Sequence, residues 1–198
     1  PVDAAAAIAL GSEPLEPEKS TNFSLGTVIR PTPGLTITLD AYQVSIKDRI
    51  LGTGSLYGSG GAVNFPIVTQ AILLNGNQLD PTVSETGINI FTNGADTRTR
   101  GVDLVLSYPM SLGESGKINW TIAGNYNETK LTRVGTAPSQ LNNIPLFNLG
   151  TQSNLTTASP KLKVVTSANY RSGPFAATLR GTVYGIDLNS NFTVRAYK

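Results

Sequence analysis

Short and long connections alternate along this chain, and the segments between them alternate apolar with polar residues. The segment the rest is organised around is 91–109, FTNGADTRTRGVDLVLSYP, whose second half alternates cleanly. Val102, Leu104, Leu106 and Tyr108 fall on one parity, and Asp103, Val105 and Ser107 fall on the other. A period of two is the mark of a strand with one apolar face. A sandwich hides that face against a second sheet, whereas a transmembrane barrel turns it towards lipid and keeps a polar lumen. The connections decide between them.

Residues 1–18 read as an irregular lead-in, and alternation starts at Thr21. Phe23, Leu25 and Ile29 oppose Asn22, Ser24, Gly26 and Arg30, and PTPG at 31–34 is a tight turn. A second strand occupies 35–51. Its apolar residues change parity, from Leu35, Ile37, Leu39 and Ala41 to Tyr42, Val44 and Ile46. That switch predicts a bulge near 40–42, or a face no longer exposed to membrane beyond it. The connection at 52–87 is long and opens Gly-rich, and its apolar stretch 67–74 suits one or two helical turns. Glycines 52, 54 and 58 lack the spacing and the framing elements of a phosphate loop.

After the turn at 109–116, strand 117–131 sets Ile118, Trp120, Ile122, Gly124 and Tyr126 against Lys117, Asn119, Thr121, Ala123, Asn125 and Asn127. A second long loop covers 133–159. Strand 161–170 opposes Leu162, Val164, Ala168 and Tyr170 to Lys161, Lys163, Ser167 and Asn169. Strand 175–185, reached by a tight turn, opposes Phe175, Ala177, Leu179 and Val183 to Thr178, Arg180, Thr182 and Tyr184. The last dozen residues read as a truncated loop or the start of a strand.

Strand, short turn, strand, long loop is the order expected of an outer-membrane barrel, with brief periplasmic turns and extended outer loops. Greek-key sandwiches mix connection lengths at both ends. The expected fold is therefore all-β: an antiparallel up-and-down transmembrane β-barrel segment, about six strands of a larger barrel, with 1–198 as one partial barrel domain. Six strands are fewer than the smallest closed barrels use, and open edges in lipid leave backbone groups unpaired. The pattern assigns Val102, Leu104, Leu106, Ile118, Trp120, Ile122, Leu162, Val164 and Leu179 to lipid. Arg98, Arg100, Asp103, Lys117, Lys161, Lys163 and Arg180 are assigned to the lumen, because a cation at the lipid midplane costs about 2–4 kcal/mol. Tyr108, Trp120, Tyr126, Tyr170 and Phe175 sit near strand ends, where an aromatic girdle belongs.

Composition narrows the chemistry. Only 14% of residues are charged, with Thr, Asn, Ser and Gly in their place, and the net charge of +2 comes with no basic patch for nucleic acid. There is no His and no Cys, which removes imidazole bases, thiol nucleophiles and the usual zinc ligands. No metal, cofactor or enzymatic activity is expected. No apolar run is long enough for a transmembrane helix, and PVDAAAAIAL lacks the features of a signal peptide. A start without Met reads as a mature piece or an internal fragment. The N-x-T triplets at Asn119, Asn127, Asn154 and Asn191 read as accidents of an Asn/Thr-rich composition.

Several short motifs together resemble a known family. Leu15, Pro17, Glu18 and Ser20, followed by Gly26, are similar to its "LxPE-x-S … G" motif, although Ser24 stands where an acidic residue is usual. Asp40-Ala41-Tyr42 through Lys47-Asp48-Arg49-Ile50 resembles its "Y-x-I-x-I-x-D-x-I" strand. Phe91-Thr92-Asn93, Thr97 and Gly101-Val102-Asp103-Leu104 resemble the "FxNxxxTxxxGxE/D" strand of TonB-dependent outer-membrane receptors. Pro160-Lys161-Leu162 with Tyr170, and Leu179-Arg180 with Tyr184-Gly185, resemble the late barrel strands. The resemblance implies the C-terminal part of a 22-stranded-type barrel in the outer membrane of a Gram-negative bacterium, taking up a scarce nutrient such as a siderophore, vitamin or carbohydrate. Its implied partners are outer-membrane lipid, the remainder of the barrel and its plug, TonB through that plug, and the small-molecule nutrient. The plug with its TonB box and a terminal strand ending in an aromatic residue are expected to lie outside this sequence.

The long loops would capture ligand, with Tyr57, Asn64, Phe65, Asn75 and Asn77 as candidate contacts. Packing among themselves is an equal reading for each. The competing function is a soluble β-sandwich module binding a ligand or carbohydrate, with Trp120 and tyrosines as stacking platforms.

Overall fold

A computed structural model describes residues 4–76, 78–141, 146–185 and 189–197. The elements run α1 (Ala5–Ala9), β1 (Lys19–Ile29), β2 (Thr36–Gly52), β3 (Leu56–Ser59), α2 (Pro66–Leu74), β4 (Thr86–Ile88), β5 (Phe91–Ser111), β6 (Lys117–Val134), α3 (Leu149–Thr157), β7 (Leu162–Ser172), β8 (Phe175–Tyr184) and β9 (Asn189–Tyr197). All six expected strands are present. Short connections follow where the backbone can reverse cheaply, as at Gly34 (φ 86°) and Gly173 (φ 52°).

Seven strands form one open sheet in the order β1-β2-β5-β6-β7-β8-β9, and β3 pairs with β4 in a small ribbon. Asn189–Tyr197, in the stretch read as a truncated loop or the start of a strand, form a seventh strand, β9, paired with β8 from Ala176↔Tyr197 to Tyr184↔Asn189. One expectation needs correcting. Strict alternation of connection lengths therefore fails once, because only residues 185–188 separate β8 from β9. The expected helical turns at 67–74 are α2, whereas α1, α3 and the β3–β4 ribbon carry no comparable sequence pattern.

The chain divides into two compact units. One comprises Asn22–Val44, Thr99–Thr129 and Thr157–Lys198. Here the register shows two faces of different chemistry. Nine successive pairs from Ile118↔Tyr170 to Tyr126↔Leu162 put Trp120 beside Ala168, Ile122 beside Thr166 and Gly124 beside Val164 on one side. On the other side lie Asn119 with Asn169, Thr121 with Ser167 and Asn125 with Lys163. The β7–β8 register extends both faces, with Ala168↔Leu179 and Val164↔Val183 on the first and Ser167↔Arg180 and Asn169↔Thr178 on the second. Nine residues is the length a tilted strand needs to cross the hydrocarbon of a bilayer, about 9–11 residues.

The polar face ties itself together. Thr99 and Thr129 hydroxyls lie 2.7 Å apart, Asn125 Nδ2 donates to Asp103 at 2.5 Å, and Thr178 donates to Asn169 at 2.8 Å. Lys163 Nζ stands 5.5 Å from the Tyr184 ring centre, a cation–π contact on the same face. Tyr42 also belongs here. Asn125 Nδ2 reaches its hydroxyl at 3.4 Å, and its ring covers Gly101. Asp40 faces Gly26 in the same way. Asp40 and Tyr42 thus share one face, so β2 has no bulge between them, and the change of parity marks a tyrosine turned towards polar neighbours. The left-handed residue in β2 comes later, at Asp48 (φ 56°).

Among the described residues the apolar face has no cover. Trp120 is 39% exposed and Leu179 50%. The buried hydrophobic cluster contains Ala7, Leu10, Leu56, Val68, Ala71, Ile90, Leu141, Leu146 and Phe147, none of them from this face. A sandwich would place a second sheet there and bury those side chains. An apolar sheet face left open over several strands is a surface made for a non-aqueous surrounding or a partner.

Candidate functional site

The other unit comprises Pro1–Thr21, Ser45–Arg98 and Lys130–Thr156. It gathers the long connections and the ends of the strands that carry them. Its core explains why these segments are ordered. Leu56 of β3, Val68 and Ala71 of α2, and Leu10 after α1 pack with Ile90, Leu141 and Phe147. Phe147 lies against Gly94, where any Cβ would strike its ring. Buried Thr53 closes the base of the first connection: its N–H donates to the Ile90 carbonyl at 2.9 Å, and its hydroxyl accepts from the Ile90 N–H at 3.2 Å.

Beside this core, polar side chains join separate sequence motifs. Asn93 Nδ2 donates to the carbonyls of Glu16 (2.8 Å) and Asp48 (2.6 Å), while its Oδ1 accepts from the Glu16 N–H at 2.8 Å. Glu18 accepts from the Ile50 N–H at 2.8 Å. Arg133 donates to Asp96 through Nε (3.0 Å) and Nη2 (2.9 Å), and Nη2 also reaches Asp48 at 3.0 Å. Asp96 in turn accepts from the Asp48 N–H, and Arg49 donates to Thr97. The Arg133 hydrogen bonds hold the Asp96 carboxyl below its ordinary range, and the same bonds raise the Arg133 guanidinium. The "LxPE", "KDRI" and "FxNxxxT" motifs therefore meet in space as a clamp that fixes residues 16–18 against β2 and β5.

The loop residues expected to touch ligand are engaged locally. The Tyr57 ring covers Gly61, and its carbonyl accepts from the Phe65 N–H at 2.7 Å. Asn64 Oδ1 accepts from the Gly61 N–H at 2.9 Å, closing the same turn. Phe65 precedes α2 and packs on the core, and Asn75 donates back to the Ala71 carbonyl at 2.7 Å at the end of that helix. Asn77 lies outside the described residues. The fold gives these side chains work in shaping the loop.

A different recess was missed in the sequence. It has a volume of about 630 Å³ and is lined by Ser12, Glu13, Thr92, Thr136, Ser139 and Gln140, with Ile8, Leu10, Ile90 and Leu146 at its apolar side. Most of its residues come from the lead-in and the second loop, which as sequence show only Ala-, Pro- and Thr-rich runs, and Ile90 and Thr92 come from just before and just inside the start of β5. Gly11 (φ 87°) permits the close approach of Pro138 that shapes its wall. Hydroxyls, an amide and one carboxylate around a cleft of this size suit a polar small molecule.

The sheet, its uncovered apolar face and its ordered loop unit agree with a comparison against family models, where TonB dependent receptor-like, beta-barrel matches residues 2–198. The chain belongs to this family. Family membership makes it part of an outer-membrane receptor and transporter barrel rather than of an enzyme family. A search of curated proteins returned no match.

Within this receptor barrel the charged residues need sorting again. Asp103, Lys163 and Arg180 hold the polar parity of Asn125 and Ser167, and Lys117 shares it through Lys117↔Arg171. Arg98 and Arg100, expected in the lumen, stand on the parity of Val102 and Leu104. Arg100 Nε donates to Gln43 at 2.7 Å in a groove with Phe23, Leu25, Val102 and Tyr126, on the apolar side. Both arginines lie on the loop side of the apolar run of β5, a strand of 21 residues, longer than the roughly 9–11 that a bilayer crossing needs. Lys161 precedes β7, and its ammonium pairs with Glu128 at 3.0 Å, on the parity of Tyr126.

Proposed function

We propose that this chain supplies wall strands and outer loops of a receptor that takes up a scarce small-molecule nutrient across the outer membrane of a Gram-negative bacterium. The reading rests on one observation: the face carrying Trp120, Ile122, Val164 and Leu179 is apolar and uncovered while the opposite face is a hydrogen-bonded polar surface. In a bilayer the first face meets lipid. The second lines a lumen where Asp103, Lys117, Lys163 and Arg180 offer charge to a plug held inside the barrel. Energy would arrive through TonB and that plug, and the wall's part is to stay rigid while the plug moves.

The loop unit supports the capture step. Its packed core and the Arg133–Asp96–Asp48 clamp keep the recess at Ser12, Thr92 and Gln140 preformed, which lowers the ordering cost of binding. Tyr57, Asn64, Phe65 and Asn75 act as the frame of the outer loop.

The test is growth of a strain carrying the full-length receptor on single limiting nutrients. Replacing the loop from β3 to β4 and residues 135–141 with short linkers is expected to abolish growth on one nutrient while leaving barrel insertion intact. A protonophore should stop uptake by the intact receptor. Unchanged uptake of the same nutrient after loop replacement would remove the role assigned to these loops.

A further inference from the structure

The recess of about 630 Å³ in the loop unit has a one-sided chemistry. Its polar side chains are the hydroxyls of Ser12, Thr92, Thr136 and Ser139, the Gln140 amide and the Glu13 carboxylate. Among the described residues no Lys, Arg or aromatic ring lines it, and its remaining wall is largely aliphatic. Ser139 Oγ donates to Gln140 Oε1 at 3.2 Å, whereas the side chains of Glu13, Thr92 and Thr136 have no hydrogen-bond or ion-pair partner among the described residues. These groups are left for a ligand or for water.

The lack of cations runs through both long connections. Residues 52–87 hold no Lys or Arg and carry only Asp80 and Glu85 as charges, and residues 135–159 hold no charged residue. In the lead-in, residues 1–15 contribute only Asp3 and Glu13. An anion entering the recess would give up its water with no guanidinium or ammonium in exchange, and it would meet a carboxylate instead. A cation gains little more, because one exposed carboxylate is a weak partner in water and there is no π face to hold the charge.

We infer that this recess selects an uncharged polyhydroxylated molecule, a sugar or short oligosaccharide, and turns away anionic chelates. The inference rests on the proposed capture role of the loops and names the ligand class for it. A sugar hydroxyl both donates and accepts, which suits a rim of hydroxyls, an amide with both functions, and a carboxylate that only accepts. The C–H face of such a ring lies against the aliphatic wall at Ile8 and Ile90.

The probe is an array of neutral oligosaccharides printed beside their sulfated and amino-sugar counterparts, exposed to the detergent-solubilised full-length receptor. Retention is expected on neutral spots, and raising the salt should leave it unchanged, since the ligand has no charge to screen. Glu13→Gln should weaken that retention about tenfold, because charge-assisted hydrogen bonds are traded for neutral ones, and Thr92→Val about threefold. Retention confined to sulfated or amino-sugar spots, or indifferent to both substitutions, would overturn the proposal. Loop replacement keeps the two readings apart. If no neutral sugar is retained while that replacement still abolishes growth on one nutrient, the ligand class is wrong and the capture role stands. If growth is unchanged as well, the capture role falls with it.

Discussion

Gly101 should resist replacement by alanine, and the reason is Tyr42. A Cβ built at Gly101 falls 2.8 Å from Tyr42 Cε1 and nearer still to Cζ and the hydroxyl. Ordinary contact begins near 3.5 Å, so Gly101→Ala forces the ring to shift and breaks the 3.4 Å hydrogen bond from Asn125. Overpacking costs about 1–3 kcal/mol and the lost hydrogen bond about 1 kcal/mol, so a loss of roughly 2–4 kcal/mol is expected. Gly124 is the internal control, because nothing lies within 4 Å of its Cβ position, and Gly124→Ala should be close to neutral. Urea unfolding of the full-length barrel in lipid vesicles, read by circular dichroism, gives the numbers. The decisive arm is the double-mutant cycle: in a Tyr42→Ala background, Gly101→Ala should cost well under 1 kcal/mol. Equal costs in both backgrounds would refute the ring-over-glycine account.

Two further outcomes follow from the same structure. Leu104→Arg should destabilise the barrel by about 2–4 kcal/mol in vesicles, while Ser167→Arg on the polar face should cost far less, measured by the same unfolding titration. For the clamp, the folded Asp96 carboxyl has a lowered pKa, so its contribution is present above the unfolded value of about 3.9 and is lost as pH falls through the folded value. Hydrogen exchange at 16–18 and 48–50 should therefore accelerate below pH of about 4, and Asp96→Asn should flatten that dependence.

The strands were legible because a lipid-facing strand has to obey a period of two over its whole crossing, and 117–126 and 162–170 do so nearly without exception. For Arg98 and Arg100 two signals pull apart: their charge suggests the lumen, while their parity is that of Val102 and Leu104, and parity is a geometric constraint whereas charge is only a preference. The loop unit was mostly illegible. LGTQSNLTT in α3 has no amphipathic stripe, and β3 and β4 are too short for alternation to register. Their order comes from a core assembled from distant segments such as Leu10, Leu56 and Phe147, a pairing no local pattern records. Asn93 was visible as a motif residue, but its three bonds to Glu16 and Asp48 depend on a meeting of three chain segments.

The most direct test of the account is a nitroxide scan of residues 117–126 in the full-length receptor, reconstituted in vesicles and read by collision with oxygen and with a water-soluble nickel chelate. Oxygen accessibility is predicted to rise at Ile118, Trp120, Ile122 and Tyr126 and to fall at Asn119, Thr121 and Asn125, with a strict two-residue period. Labels at 118, 120 and 122 shielded from both reagents would mean that a second layer covers them, and the membrane-facing wall would be contradicted.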